Sequence, residues 1–344
     1  MPDITILKTS LHRIDLNEEE IGDRLAIKDD SDFDQYVLKI VDDMYELPSY
    51  KSFKFSSSET EISRQAALMS VESWDERSQF IARRLLRIEK LAQERVKQMV
   101  SLRTGSLVQI YAEVDGQRNL IVTKVDHSAY LNETNLKKQL GLPESQRVQK
   151  TAIISFEEDH SVSGIRISDT NRKISQYWWQ EFLEAEELHS AEKNTLLAFD
   201  AIDKELRKTV RKKSKSDFWT LRNAVISYFR TSESCTFDRL IDVVFKDYQP
   251  DSPDLKMDGF ISKVKEMPNK YNFDSQFDIA PSAIKAKIHR QIKLAENLEL
   301  KFTGEVQGLN ALIDAGELDN GRKFIRIFSE VGYNEFFRKP EAGK

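Results

Sequence analysis

One dipeptide constrains this chain more than any other feature. Asp115–Gly116 stands between two runs that alternate in polarity. Before it, Val108, Ile110, Ala112 and Val114 alternate with Gln109, Tyr111 and Glu113; after it, Leu120–Val125 runs back. A two-residue hairpin turn needs positive φ at both central positions, and Asp-Gly supplies them at low steric cost. A second hairpin follows in Thr151–Phe156 and Val162–Ile167, joined by the acidic, solvent-facing turn Glu157–Glu158–Asp159–His160. Four strands in succession predict an antiparallel meander.

Helical periods surround that sheet. Phe33, Tyr36, Val37, Ile40, Val41 and Met44 repeat at helical spacing, and Pro48 closes the helix. Short strands are predicted at Ile4–Leu7 and Tyr50–Phe55. From Glu76 to Val100, Ile81, Leu85, Ile88, Ala92, Val96 and Met99 share one face of a long amphipathic helix. A polar insertion occupies Asn132–Gln149. Beyond Ser168, the residues Ile174, Tyr177, Trp178, Phe182 and Ala185 form a helical stripe, with Asp169 as its expected N-cap. Adjacent Trp178 and Trp179 cannot both face one core in a helix, which leaves one of them for a dimer interface. Further helices are expected over Glu192–Arg211, Asp217–Phe229, Phe237–Tyr248 and Leu255–Lys265, with Pro250 and Pro253 in a linker. Strand-like patterns return in pieces over Ile284–Phe302 and at Phe324–Phe328, and Lys339–Lys344 reads as a frayed tail. The fold class is α+β. An antiparallel β-meander domain with flanking helices (1–168) precedes a helical domain (169–249) and a mixed region that ends in strands (250–344).

Chemical templates are scarce. The 344 residues carry one cysteine, Cys235, which excludes an intramolecular disulfide or a multi-thiolate zinc site. No run approaches a membrane span, and Met1–Pro2–Asp3 does not begin a signal peptide, so a reducing cytoplasm is expected. His12, His127, His160, His189 and His289 lack metal-ligand spacing. The cluster Asp29, Asp30, Asp32 and Asp34 lacks the glycine and glutamate of a calcium loop and suits an acidic helix start. Gly316–Lys323 mimics phosphate-loop glycine spacing, but Glu317 and Asp319 would repel the anion, so a turn between strands is expected. Glu299–Leu300–Lys301 has the shape of a metal-dependent nuclease tripeptide, a short pattern in a chain with 57 acidic residues. No catalytic residue, metal ligand or cofactor is assigned.

Two basic features stand out on a chain of net charge −5. The first is Lys204, Arg207, Lys208, Arg211, Lys212, Lys213 and Lys215, interrupted by one acid, Glu205. If the helix continues, the three- and four-residue steps between Lys204, Arg207, Lys208, Arg211 and Lys215 place them on one flank. Such a track releases counterions from DNA without reading sequence; equally, bases at a helix end can simply complement the macrodipole. The second is Arg172–Lys173, expected in the first turn of the Trp178 helix. Cations oppose the dipole there unless they share a bound phosphate or pair with Asp169 or acids near Glu184.

The hairpin Ser106–Asp126 is similar to the core strand pair of the bacterial 37-kDa nucleoid-associated proteins. The segment Asn171–Leu183 resembles that family's Arg-Lys-apolar helix with paired aromatics and a Phe-Leu end. The likeness covers about Leu102–Lys204. It implies a cytoplasmic, non-enzymatic protein of the nucleoid that binds double-stranded DNA, with topoisomerases or other chromosome proteins as partners; a homodimer is a candidate assembly from the tryptophan pair alone. The family has no catalytic residues to carry over. A protein-interaction subunit of a phage-defence or chromosome-maintenance complex, and a nuclease using Glu299 and Lys301, are the competing readings.

Overall fold

The computed structural model describes residues 3–22, 31–46, 49–96, 104–143, 150–171, 173–288, 290–303, 306 and 308–337. Pro48, Asp29, Asp30, Arg172, His289 and the Lys339–Lys344 tail lie outside them. Two units are distinguished. The first takes in residues 1–194, 233–239 and 268–279; the second takes in 195–232, 240–267 and 280–344.

The first unit is built on a seven-stranded sheet. Its strands are β1 (Ile4–Ile14), β2 (Lys51–Phe55), β3 (Gly105–Val114) and β4 (Gln117–Asp126). After the small hairpin β5 (Ser128–Leu131) and β6 (Lys138–Gly141) come β7 (Lys150–Phe156), β8 (Val162–Asp169) and β9 (Ala185–Glu187). The order is β1-β3-β4-β7-β8-β2-β9, with every neighbouring pair antiparallel. The expected meander is its centre. Asp115 and Gly116 have φ of 50° and 79°, as the tight turn requires.

Helices cover both faces, so β3, β4 and β7 are buried over most of their length. On one face α1 (Ser31–Glu46) sets Val37, Ile40, Val41 and Met44 against Val108, Ile110, Ile121 and Ile153. Asp32 and Asp34 lie in its first turn, the acidic start the sequence suggests. On the other face, α2 (Glu61–Ala67) and α3 (Trp74–Val96) pack Ile62, Ile81 and Leu85 with Leu107, Tyr111, Leu120 and Ile154. Gln109 and Tyr111, the polar side of the alternation, are therefore buried too, and Gln109 Nε2 donates to the Ser78 carbonyl at 2.8 Å.

Strand β1 runs seven residues past its predicted end at Leu7. A register shift between Ile6 and Lys8 moves later residues to the opposite face and hides the strand from a strict period of two. The Trp178 segment also differs from expectation. Only Tyr177–Phe182 is helical, as one wide turn, and the chain then enters β9. Arg84 of α3 stops the helix: its Nε and Nη2 bind the carbonyls of Phe182 and Glu181 at 2.8 and 2.6 Å, and Glu184 turns away at φ 52°. Trp178 is fully buried and Trp179 partly buried against the same core, with the Trp179 ring 5.4 Å from Phe53. The expectation that one tryptophan must face elsewhere is thus corrected: wide-turn geometry lets neighbouring side chains reach one core.

The unit is completed by β10 (Ser234–Thr236) paired with β11 (Gln276–Asp278). Asp274 joins these distant segments, accepting from the Ser52 amide and Asn194 Nδ2, both at 2.8 Å.

In the second unit α4 (Ala191–Glu205) passes into a wide turn, Leu206–Val210, and α5 (Lys215–Thr231) follows. Phe199 and Phe229 meet edge to face at 6.1 Å. Helix α6 (Phe237–Ile241) widens into Asp242–Lys246, and α7 (Met257–Lys265) packs Phe260 against Phe245 at 5.2 Å. Helix α8 (Met267–Tyr271) leads back to β11. Where strands were expected from Ile284, Pro281–Ile284 is a 3-10 turn running into α9 (Lys285–Ile288). Proline at the first position favours this helical start. Strands begin at β12 (Arg290–Ala295), paired with β13 (Leu298–Phe302). After α10 (Leu309–Leu312), β14 (Ile313–Glu317) pairs with β15 (Lys323–Ile327), and α11 (Glu330–Phe336) ends the described chain. Gly316–Lys323 is indeed the turn region of this hairpin.

Candidate nucleic-acid interface

The basic run lies at the junction of α4 and α5, and it is not one helix. Burial of Leu206 and Val210 fixes the wide turn, closed by the Arg211 amide on the Leu206 carbonyl at 2.9 Å. The Lys213 and Ser214 amides then return to the Val210 carbonyl at 2.9 and 2.8 Å. Ser214 begins a new helix, its hydroxyl accepting from the Asp217 amide at 3.1 Å. The continuous flank expected through Lys215 is therefore corrected: a serine cap restarts the helix, and Lys215 is its first residue. What results is a compact cationic corner.

Lys204, Lys208, Arg211, Lys212, Lys213 and Lys215 are exposed on this corner, and Arg207 is half-buried. Nearby carboxylates are occupied inward. Asp203 accepts from Arg222 Nε and Arg207 Nε at 2.7 and 2.8 Å. Glu205 binds Lys263 at 3.0 Å and the Thr209 hydroxyl. Burial raises the Glu205 carboxyl, but those hydrogen bonds and the charges of Lys263 and Lys208 outweigh it and hold the group below its ordinary value. Asp217 takes the Tyr248 hydroxyl and the amides of Asp251 and Ser252. Burial also opposes ionisation there, and the hydrogen bonds again prevail, leaving its pKa lowered.

Lys208, Arg211, Lys212 and Lys215 consequently form no salt bridge among the described residues. The Lys213 ammonium rests on the Asp254 carbonyl oxygen at 2.8 Å, which anchors it without cancelling its charge. The guanidinium carbons of Arg207 and Arg211 sit 5.7 and 5.6 Å from the centre of the buried Phe218 ring, which stiffens the corner. Lys263, contributed by α7, also reaches this region; no local pattern could have signalled it, because 58 residues separate it from Glu205.

The other predicted pair fares differently. Arg172 is outside the described residues, and Lys173 belongs to the first unit. Lys173 precedes the wide turn instead of opening a helix, so no helix dipole acts on it. Its ammonium is exposed, 4.0 Å from Asp278, neither of the acids expected from sequence. It borders a pocket of about 410 Å³ with Lys51, Phe53, Trp179 and Glu187, in which Lys51 is already paired with Glu187. Asp169 does not cap a helix; it accepts from the Asn171 and Ser175 amides at 2.9 and 3.0 Å and fixes the loop carrying Lys173.

Glu299 lies exposed on β13 across from Lys293, and Lys301 across from Gln291. Among the described residues, no group of three or more His, Cys, Asp or Glu is placed to hold a metal ion. No helix among them is long and apolar enough to cross a membrane.

The seven-stranded antiparallel sheet with its covering helices, and the largely helical second unit that carries the cationic corner, make this an α+β protein. The family model described as nucleoid-associated protein YejK matches residues 10–327, well beyond the window where the sequence likeness is plainest. The chain belongs to that family, which is not a known enzyme family. No curated protein matches it.

Proposed function

We propose that this protein binds double-stranded DNA on the nucleoid through phosphate contacts made by the Lys204–Lys215 corner, and that it does so without catalysing a reaction. The observation carrying the proposal is that Lys208, Arg211, Lys212 and Lys215 are exposed and form no salt bridge among the described residues, while Asp203 is held by Arg207 and Arg222, Glu205 by Lys263, and Asp217 by Tyr248. On a chain of net charge −5, such a corner keeps a local positive potential while the remaining surface repels DNA. Binding is then confined to one place. Lys173 is the weaker contact in this reading, because Asp278 stands beside it.

Anisotropy titration of a labelled duplex over a range of salt concentrations tests the proposal. About five phosphate contacts give a log–log slope near −4.5 in salt, since each contributes about −0.9. Scrambling the duplex sequence leaves affinity unchanged within a few-fold. Binding that ignores salt, or that is absent at low ionic strength, overturns the reading.

A further inference from the structure

Between β4 and β7 the chain leaves the large sheet and forms a separate two-stranded ribbon, β5–β6, within the first unit. Ala129 opposes Leu140 and Leu131 opposes Lys138, so these four share a face. The reverse face is closed by its own side chains. There the Tyr130 ring lies against Gly141, and the Tyr130 hydroxyl and Asn132 Nδ2 both donate to Gln139 Oε1, at 2.9 and 3.1 Å. The leucine face is open, with Leu131 and Leu140 64% and 55% exposed.

The tip of the ribbon is held by Asn132. Its Oδ1 accepts from the Thr134 and Asn135 amides at 2.9 and 3.2 Å, and its carbonyl accepts from the Leu136 amide at 2.8 Å. Its own amide donates to the Lys137 carbonyl at 3.0 Å. Within this frame Leu136 has φ of 54° and is 72% exposed. Glycine or asparagine would take that left-handed backbone with less strain. The loop therefore accepts strain to hold a large apolar side chain out in water, which is the mark of a ligand contact.

Charge indicates the ligand. Lys137 and Lys138 are exposed beside Leu136 and form no salt bridge among the described residues. Against these two lysines Ser128–Gly141 carries one acid, Glu133, on a chain of net charge −5. An apolar side chain flanked by cations can enter the minor groove, part a base step and kink the duplex. Four residues per strand extend about 13 Å, further than the ~7.5 Å depth of that groove.

We infer that β5–β6 is a DNA-kinking arm: Leu136 wedges between two base pairs from the minor groove, and Lys137 and Lys138 hold the adjacent phosphates. The inference rests on the duplex binding proposed above and adds a deformation that phosphate contacts alone do not require.

Energy transfer between dyes on the two ends of a duplex of about 30 base pairs, saturated with the full chain, reads the kink. Anisotropy of the same duplex reads binding. Saturation should bring the ends closer, as a kink of roughly 20–90° demands. Leu136→Gly relieves the backbone strain, so its unfolding temperature should equal or exceed the parent's. It should still bind, yet lose at least half of the shortening, and Lys137→Glu with Lys138→Glu should lose it too. Arg211→Glu with Lys212→Glu should need more protein to saturate and then shorten the duplex as the parent does. Binding without shortening overturns the arm and leaves the phosphate-contact reading standing. Shortening that Leu136→Gly preserves also overturns it, and assigns the leucine face to a protein partner. Absence of binding overturns both.

Discussion

Lys124 Nζ lies 2.7 Å from Glu89 Oε1, and neither side chain is more than 3% exposed. The Tyr177 hydroxyl donates to the same carboxylate oxygen at 3.2 Å, so strand β4, helix α3 and the wide turn meet at one buried charge pair. Burial, followed by the nearby Glu89 charge, pushes the Tyr177 phenol well above its ordinary value, and it stays a neutral donor. Lys124 falls in the strand that carries the family likeness, where its role is to fix the helix on the sheet.

Removing one member of this pair strands the other. Lys124→Met or Glu89→Gln should cost about 3–5 kcal/mol in urea unfolding, whereas Lys124→Met combined with Glu89→Leu should cost less, because neither of the two buried charges is then left without the other. Equal losses from the singles and the double would show that the residues are not coupled.

Glycine 105 gives a steric prediction. A Cβ there would lie 2.4 Å from the Val125 carbonyl oxygen, inside the β3–β4 pairing, while one at Gly164 would meet nothing within 4 Å. Gly105→Ala should destabilise by roughly 1–3 kcal/mol as the backbone is forced apart, and Gly164→Ala by no more than about 0.5 kcal/mol. Chemical denaturation of the two variants decides it.

Asp217 links stability to acid. Its folded pKa lies below the ordinary value, so its contribution is complete above the unfolded pKa and is lost as pH falls through the lower folded one. The affected window is therefore below about pH 4. Asp217→Asn should cost about 2 kcal/mol at neutral pH and flatten the fall in unfolding temperature on acidification. A variant with the parental acid profile would remove Asp217 from the explanation.

For the proposed DNA contact, Arg211→Glu with Lys212→Glu should weaken binding to every duplex alike and make the salt slope about two units shallower, roughly one for each lost contact. Circular dichroism should be unchanged, since both side chains are exposed. Affinity equal to the parent would reduce the corner to solvated surface.

Local chemistry settled the parts of this protein whose interactions are close in sequence. Asp115–Gly116 fixed a hairpin, the spacing of Val37, Ile40, Val41 and Met44 fixed α1, and the excess of bases over acids from Lys204 to Lys215 was visible without coordinates. These outcomes depend on φ preferences, side-chain period and charge count, all of which neighbouring residues carry. Tertiary structure decided the rest. Arg84, far away in the chain, ended the Trp178 helix by binding its carbonyls, and residues 233–239 and 268–279 returned to the first unit. The charge left available at the corner depended on Arg222, Lys263 and Tyr248 occupying Asp203, Glu205 and Asp217. A local pattern records which groups a segment offers; only the folded chain determines which of them are already bonded.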